Sequence, residues 1–264
     1  MIRRLGVAAM LLLSAAAPLA AQIDFGRIDS LVEARRQALG IPGISLVIVH
    51  PLAELHAQGF GLASTNTPVL PETPFLIGSV SKPFTATLVM QLVDRGLVAL
   101  DAPVVGYLPE FTLADTMHAA RITVRQLLAH RSGIPRGAGL RHLGTQSTLA
   151  DAVGGLADIQ PNAAPGERFE YSNSNYHLLG LLAERITGQT YSAIVQKHIF
   201  DALSMGHSFT NLEDAKAAGL ATAHRFWFGI SRPATPQFNA ALLPAGNLAM
   251  SARDLGTFVR AHLN

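Results

Sequence analysis

Residues 43–64 carry the strongest extended signal in the chain. The run "GISLVIVH" (43–50) is dominated by β-branched and other apolar residues, and "ELHAQGFGLAS" (54–64) resumes a weaker extended pattern after a short turn containing Pro51. Together they predict a β-hairpin. After residue 64 no second convincing strand follows, only helical patterns broken by Gly and Pro. Two strands make a poor sheet alone. A hairpin followed by a long helical stretch argues for an α+β arrangement rather than regular βαβ alternation.

Apolar periodicity predicts helices over 28–39, 83–95, 122–130, 148–157, 173–187 and 190–203, with a last one over "SARDLGTFVRAHLN" opened by a cap at Ser251. In the first, Ile28, Leu31, Val32 and Leu39 follow a broken helical period. In the second, Phe84, Leu88, Val89, Leu92 and Val93 face inward and Gly96 closes the element. "LLGLLAERI" is apolar almost all round and is expected to be buried. Phe226, Trp227 and Phe228 fall in a segment that could line a cleft or fill core, with packing into a core or against a lobe the favoured expectation.

Apolar residues make up 49% of the 264 and charged residues 14%, enough for a sizeable core in one large domain or two closely packed lobes. There is no cysteine, which excludes disulfides and thiolate chemistry. The ten histidines are spread from position 50 to 262 without an H-E-x-x-H, so neither a metal nor a cofactor is expected.

The opening "MIRRLGVAAMLLLSAAAPLAAQ" reads as a secretory leader. Arg3 and Arg4 precede an apolar run from Leu5 to Ala17, and small residues follow Pro18. The run is shorter than the ~20 residues a membrane span requires. Residues 1–21 are therefore assigned to a signal peptide and 22–264 to the mature domain, exported to the periplasm or secreted, with no stable span after cleavage. Loss of the two leader arginines leaves 18 basic against 18 acidic side chains. Without a basic patch to grip phosphates, nucleic acid is excluded as a partner.

Arginine outnumbers lysine seventeen to three, yet a lysine stands one helical turn after a serine in "GSVSKPF". Ser79 and Lys82 form S-x-x-K, and positions i and i+3 share a helix face. A serine hydroxyl needs a base to take its proton, and a desolvated lysine can take part in that transfer. A serine at a helix N-terminus also lies beside backbone N–H groups suited to a developing oxyanion. Pro83 fits a first turn. Ser81, adjacent to the lysine, is a lesser candidate. Downstream, "EYSNSNYHLL" offers Tyr171 and Asn173 as Y-x-N. A phenol near an ammonium can act as proton acceptor, and an asparagine can accept from the lysine while donating to a substrate carbonyl. His130, opening "HRSGIP", reads as structural.

Four blocks in order, 75–111, 122–135 ("ITVRQLLAHRSGIP"), 165–191 and 244–263, resemble the serine β-lactamase-related hydrolases: class C β-lactamases, D-alanyl-D-alanine carboxypeptidases and related esterases. The resemblance implies a β-lactamase/transpeptidase-like fold, a helical lobe plus an antiparallel sheet. It implies Ser79 as acylated nucleophile, Lys82 as its activating partner, Tyr171 as general acid/base and Asn173 as substrate-binding residue. The substrate would be a small molecule or peptide carrying an amide, ester or β-lactam. Whether Lys82 or Tyr171 takes the first proton stays open at this point.

Such families also carry K-[ST]-G or H-x-G on a strand downstream of Y-x-N. After Asn173 neither occurs, and the single H-x-G in the chain, at 142–144, lies upstream in a polar loop. The expectation is therefore a sheet that lacks its C-terminal strands, a hairpin with open edges, and weak or absent turnover. The alternative function is a catalytically weak binding or split-chain component. Expressed with its leader and recovered outside the cytoplasm, the protein should show a mature N-terminus near residue 21 by N-terminal sequencing; an intact Met1 on exported material would refute the leader.

Overall fold

The computed structural model describes residues 23–139, 143–144, 146–228, 230–236 and 238–263. Its helices are α1 (Phe25–Ala38), α2 (Ser81–Asp94), α3 (Thr116–Ala119), α4 (Val124–Leu128), α5 (Leu149–Gly154), α6 (Asn173–Thr187), α7 (Tyr191–Val195), α8 (Leu212–Ala217) and α9 (Ala252–Leu263). The chain divides into two compact units. One holds the described residues up to Phe75, Lys216–Thr235 and those from Met250 on; the other holds Leu76–Ala215 and Pro236–Ala249.

In the first unit the expected hairpin forms. Strand β1 (Gly43–His50) pairs antiparallel with β2 (Ala53–Ser64), and β2 pairs with the short β3 (Thr67–Pro68). Sheet order is β1-β2-β3, so β1 forms an edge among the described residues. Helix α9 packs on β1 through Gly256, where an added Cβ would sit 3.0 Å from methyls of both Val47 and Val49. Ser251 caps that helix as expected, its Oγ accepting from the Asp254 N–H at 3.1 Å. Arg253 binds Glu54 at 3.1 Å and also reaches Glu72, tying the start of α9 to β2 and the turn after β3. Helix α1 is joined to β2 by His56 and Asp29 at 2.8 Å, and by Phe25 stacked on His56.

The helix expected over 28–39 forms as α1; it buries no residue fully, and Leu31 and Leu39 are exposed, as its broken apolar period forms no single stripe. Two expectations need correction here. Residues after 64 do contain strands, including a hairpin of His224–Trp227 with Ile230–Pro233. These segments are short and largely exposed on both faces, so they show no inside/outside alternation to read. Phe226, Trp227 and Phe228 lie at that hairpin and are exposed, Phe228 at 91%, rather than packed into a core.

In the second unit the most deeply buried helix is α6. Leu178 to Ala183 are all buried, and the helix ends at Gly188, whose left-handed φ of 67° lets its N–H return to the Glu184 carbonyl. Helix α2 lays Phe84, Leu88, Val89 and Leu92 into the same core and stops before Gly96. Capping boxes at Thr123/Gln126 and Thr148/Asp151 start α4 and α5. The helix expected over 190–203 is α7 followed by a wider π-type turn over Gln196–Phe200.

Gly180 sits where α6 meets the segment 243–247. A Cβ there would lie 2.4 Å from Pro244 Cγ. Only a residue without a side chain allows this approach, and Gly180→Val should lower stability by about 1–3 kcal/mol through overpacking. Thermal unfolding checks this; an unchanged or raised Tm would contradict the packing.

Candidate active site

The site lies entirely in the second unit. Its first correction concerns Ser79, which is not in a regular α-helix but in a tight 3₁₀ turn, Gly78–Val80, immediately before α2. Lys82, the second residue of α2, lies three positions on, and its Nζ reaches Ser79 Oγ at 3.3 Å. Pro83 sits in the first turn of α2, where a missing N–H costs little.

Lys82 is only 5% exposed. Its ammonium donates to Asn173 Oδ1 at 2.8 Å and to the Ala245 carbonyl at 2.6 Å, as well as to Ser79. Three donors thus meet three oxygens, one in each of three separate segments. Tyr171 Oη lies 2.7 Å from Ser79 Oγ, and Lys82 Nζ stands 4.7 Å from the phenol ring centroid. The four residues singled out from sequence, Ser79, Lys82, Tyr171 and Asn173, are all brought together. Ser81 points elsewhere: it is fully buried and its Oγ accepts from the Leu248 N–H at 3.1 Å.

Burial pulls the Lys82 ammonium below the ordinary lysine pKa, while contact with the phenol resists that pull. For Tyr171, burial works to raise the pKa. Hydrogen bonding to Lys82 and Ser79 and the positive charges of Lys82 and Arg136 outweigh it, and the phenol titrates below its usual value. The guanidinium of Arg136 is 5.9 Å from the Tyr171 ring centroid. A hydroxyl, a buried cation and a phenol easier to ionise than usual therefore share one locus.

Two contributors carry no sequence signal for the site. The Ala245 carbonyl is a backbone group and leaves no residue-type mark. His130 reads as structural from sequence, but its imidazole is 4.5 Å from the Tyr171 ring, centroid to centroid. The histidine of the upstream H-x-G, His142, lies outside the described residues, as does the leader. Among the described residues no group of three or more His, Asp or Glu is arranged to hold a metal. None of the described helices is long and apolar enough to cross a membrane.

The arrangement of a 3₁₀-turn serine, a buried lysine and a tyrosine from a Y-x-N segment, on this mix of helices and antiparallel sheet, defines a β-lactamase/transpeptidase-like fold. The chain belongs to the Beta-lactamase family, whose profile matches residues 28–264. It is 33% identical over 242 residues to penicillin-binding protein 4 of Amycolatopsis lactamdurans, covering 88% of this chain and 62% of that protein. It superimposes on the octameric penicillin-binding protein homologue of Pyrococcus abyssi with a TM-score of 0.81 at 28% identity, over 91% of this chain and 56% of that one. A D-alanine carboxypeptidase from Burkholderia cenocepacia matches with a TM-score of 0.70 at 29% identity, over 86% of this chain and 60% of that one. The chain thus spans less than two thirds of the length of each of these relatives.

Two buried histidines of this unit carry a pH signature. Burial, with a smaller push from the Lys82 charge, depresses both His130 and His177 from 6.5 to about 4. Between pH 6.5 and 4 the unfolded chain binds protons at these positions that the folded chain does not, so their contribution to stability is present above pH 6.5 and lost as pH falls through that window. Urea unfolding at several pH values should show this loss, and His177→Asn should flatten the slope; identical slopes in the variant would contradict the burial assigned to His177.

Proposed function

We propose that the mature chain is an exported serine hydrolase that forms an acyl-enzyme at Ser79 on an amide, ester or β-lactam, a D-alanyl peptide among them. The observation that carries this reading is the 2.7 Å contact between Tyr171 Oη and a Ser79 hydroxyl that already accepts from Lys82. Lys82 Nζ and the Tyr171 hydroxyl both donate to Ser79 Oγ, so a phenol that has lost its proton is already within reach of the serine's own.

That geometry favours Tyr171 over Lys82 as proton acceptor. All three ammonium hydrogens of Lys82 are engaged, and the cation lowers the cost of a neighbouring phenolate. In the first step Ser79 Oγ bonds to the substrate carbonyl carbon and its proton passes to the phenolate. As the C–N or C–O bond breaks, Tyr171 returns that proton to the leaving atom. Water then cleaves the acyl ester by the same relay in reverse. Asn173 accepts from Lys82 through Oδ1, which leaves its NH₂ to donate to the substrate carbonyl. The names of the relatives, a penicillin-binding protein and a D-alanine carboxypeptidase, favour a peptide or lactam substrate.

A second reading, slow acylation or binding without turnover, is favoured by one observation: residues 174–264 contain neither K-[ST]-G nor H-x-G. A missing oxyanion donor alone costs about a hundredfold to a thousandfold in turnover. Incubation with a fluorescent penicillin or a fluorophosphonate separates the two. The hydrolase reading expects covalent label on wild type, none on Ser79→Ala, and a labelling rate roughly 10²–10⁴ lower in Tyr171→Phe. Label retained in Ser79→Ala, or no label on wild type, refutes it; label with a single turnover and no release supports the second.

A further inference from the structure

His130 touches the segment that presents Tyr171 at three points. Its carbonyl accepts from the Glu170 N–H at 2.8 Å, and its ring Nδ1 accepts from the Ser172 N–H at 3.2 Å. The residues on either side of Tyr171 are therefore bonded to one histidine. Between them, the Tyr171 ring lies against the imidazole at a tilt of 32° with centroids 4.5 Å apart. Asn175, in the first turn of α6, adds a second donor to the same Nδ1 at 3.3 Å, and its own Oδ1 accepts from Ser132 Oγ at 2.6 Å.

The backbone at His130 is left-handed, with φ of 54°. A non-glycine residue carries such strain only where its surroundings over-determine it. A turn that needed only this backbone would be served better by glycine or asparagine. A backbone N–H aimed at Nδ1 also fixes the ring as the neutral tautomer with its proton on Nε2. The charged and titratable groups around the pair are Lys82, Tyr176 and Arg136, with Phe169 closing the outer side of the imidazole.

We infer that His130 is a positioning residue for catalysis, a neutral imidazole clamp that fixes residues 170–172 so that the Tyr171 phenol is held over Lys82 and against Ser79. The inference rests on the hydrolase reading only for its consequence in rate; the clamp itself is a statement about Tyr171. Asparagine places an acceptor near the position of Nδ1 and tolerates left-handed backbone, whereas glutamine extends its acceptor toward the position of Nε2.

The test compares His130→Asn, His130→Gln and wild type in two readouts. The first is ionisation of the Tyr171 phenol, taken as the near-ultraviolet difference between each protein and its Tyr171→Phe counterpart; it needs no catalysis. The clamp predicts that Gln moves the phenol midpoint up toward the ordinary tyrosine value of about 10 and that Asn leaves it at the wild-type position. The second is the rate of Ser79 labelling against pH. There Gln should move the rising limb to higher pH, and below that limb the rate should fall by up to roughly tenfold for every pH unit the limb has moved, with Asn rescuing both. A phenol midpoint unmoved in Gln, or moved equally in Asn and Gln, overturns the clamp. If wild type is not labelled but the midpoint moves as described, the hydrolase reading fails while the clamp stands. Should the Gln variant not fold, nitrogen NMR of the wild-type imidazole decides: a neutral ring with its proton on Nε2 at neutral pH is expected, and a proton on Nδ1 overturns the inference.

Discussion

A single buried ammonium organises the second unit. Removing the Lys82 charge from water is expensive, and the penalty is tolerable only where every proton finds an oxygen. Here the oxygens come from the serine turn, from the first residue of α6 and from the backbone at Ala245. These segments lie 3, 91 and 163 residues from the lysine. The cation therefore selects a tertiary arrangement as well as a chemistry.

The first two turns of α2 are bound side by side to the segment 244–248. Ser81 Oγ accepts from the Leu248 N–H, Lys82 donates to the Ala245 carbonyl, and Thr85 Oγ1 donates to the Pro244 carbonyl at 2.8 Å while contacting buried Tyr191 Oη at 2.7 Å. Gly180 on α6 lets the same segment approach from the other side. A backbone stretch with little sequence character of its own is thus held by consecutive polar side chains of one helix and a gap in another.

Ser79, Lys82, Tyr171 and Asn173 were legible in the sequence because each is a chemically distinctive side chain in a short fixed spacing. The long helices were legible for a related reason: α2 and α6 have enough turns for apolar residues to accumulate on a face or all round. Other parts gave no comparable signal. The Ala245 carbonyl acts through its backbone. His130 acts through a left-handed turn and contacts across 40 to 42 residues, which no local window contains. The exposed hairpin around Trp227 has apolar residues facing outward, so its hydrophobicity points to burial that the structure does not provide. Residues 174–264 lack a third motif, and β1 lies at the edge of its sheet among the described residues.

Whether Lys82 is a desolvated, fully bonded cation is the point on which the whole site turns, and the ammonium itself can be observed. The chain has three lysines, so nitrogen NMR of the side-chain ammonium groups, assigned by the signal lost in Lys82→Met, isolates it. A slowly exchanging Lys82 signal at neutral pH that titrates below the ordinary lysine value is the expected result. A rapidly exchanging ammonium with an ordinary lysine titration would mean a solvated side chain, and would contradict the account.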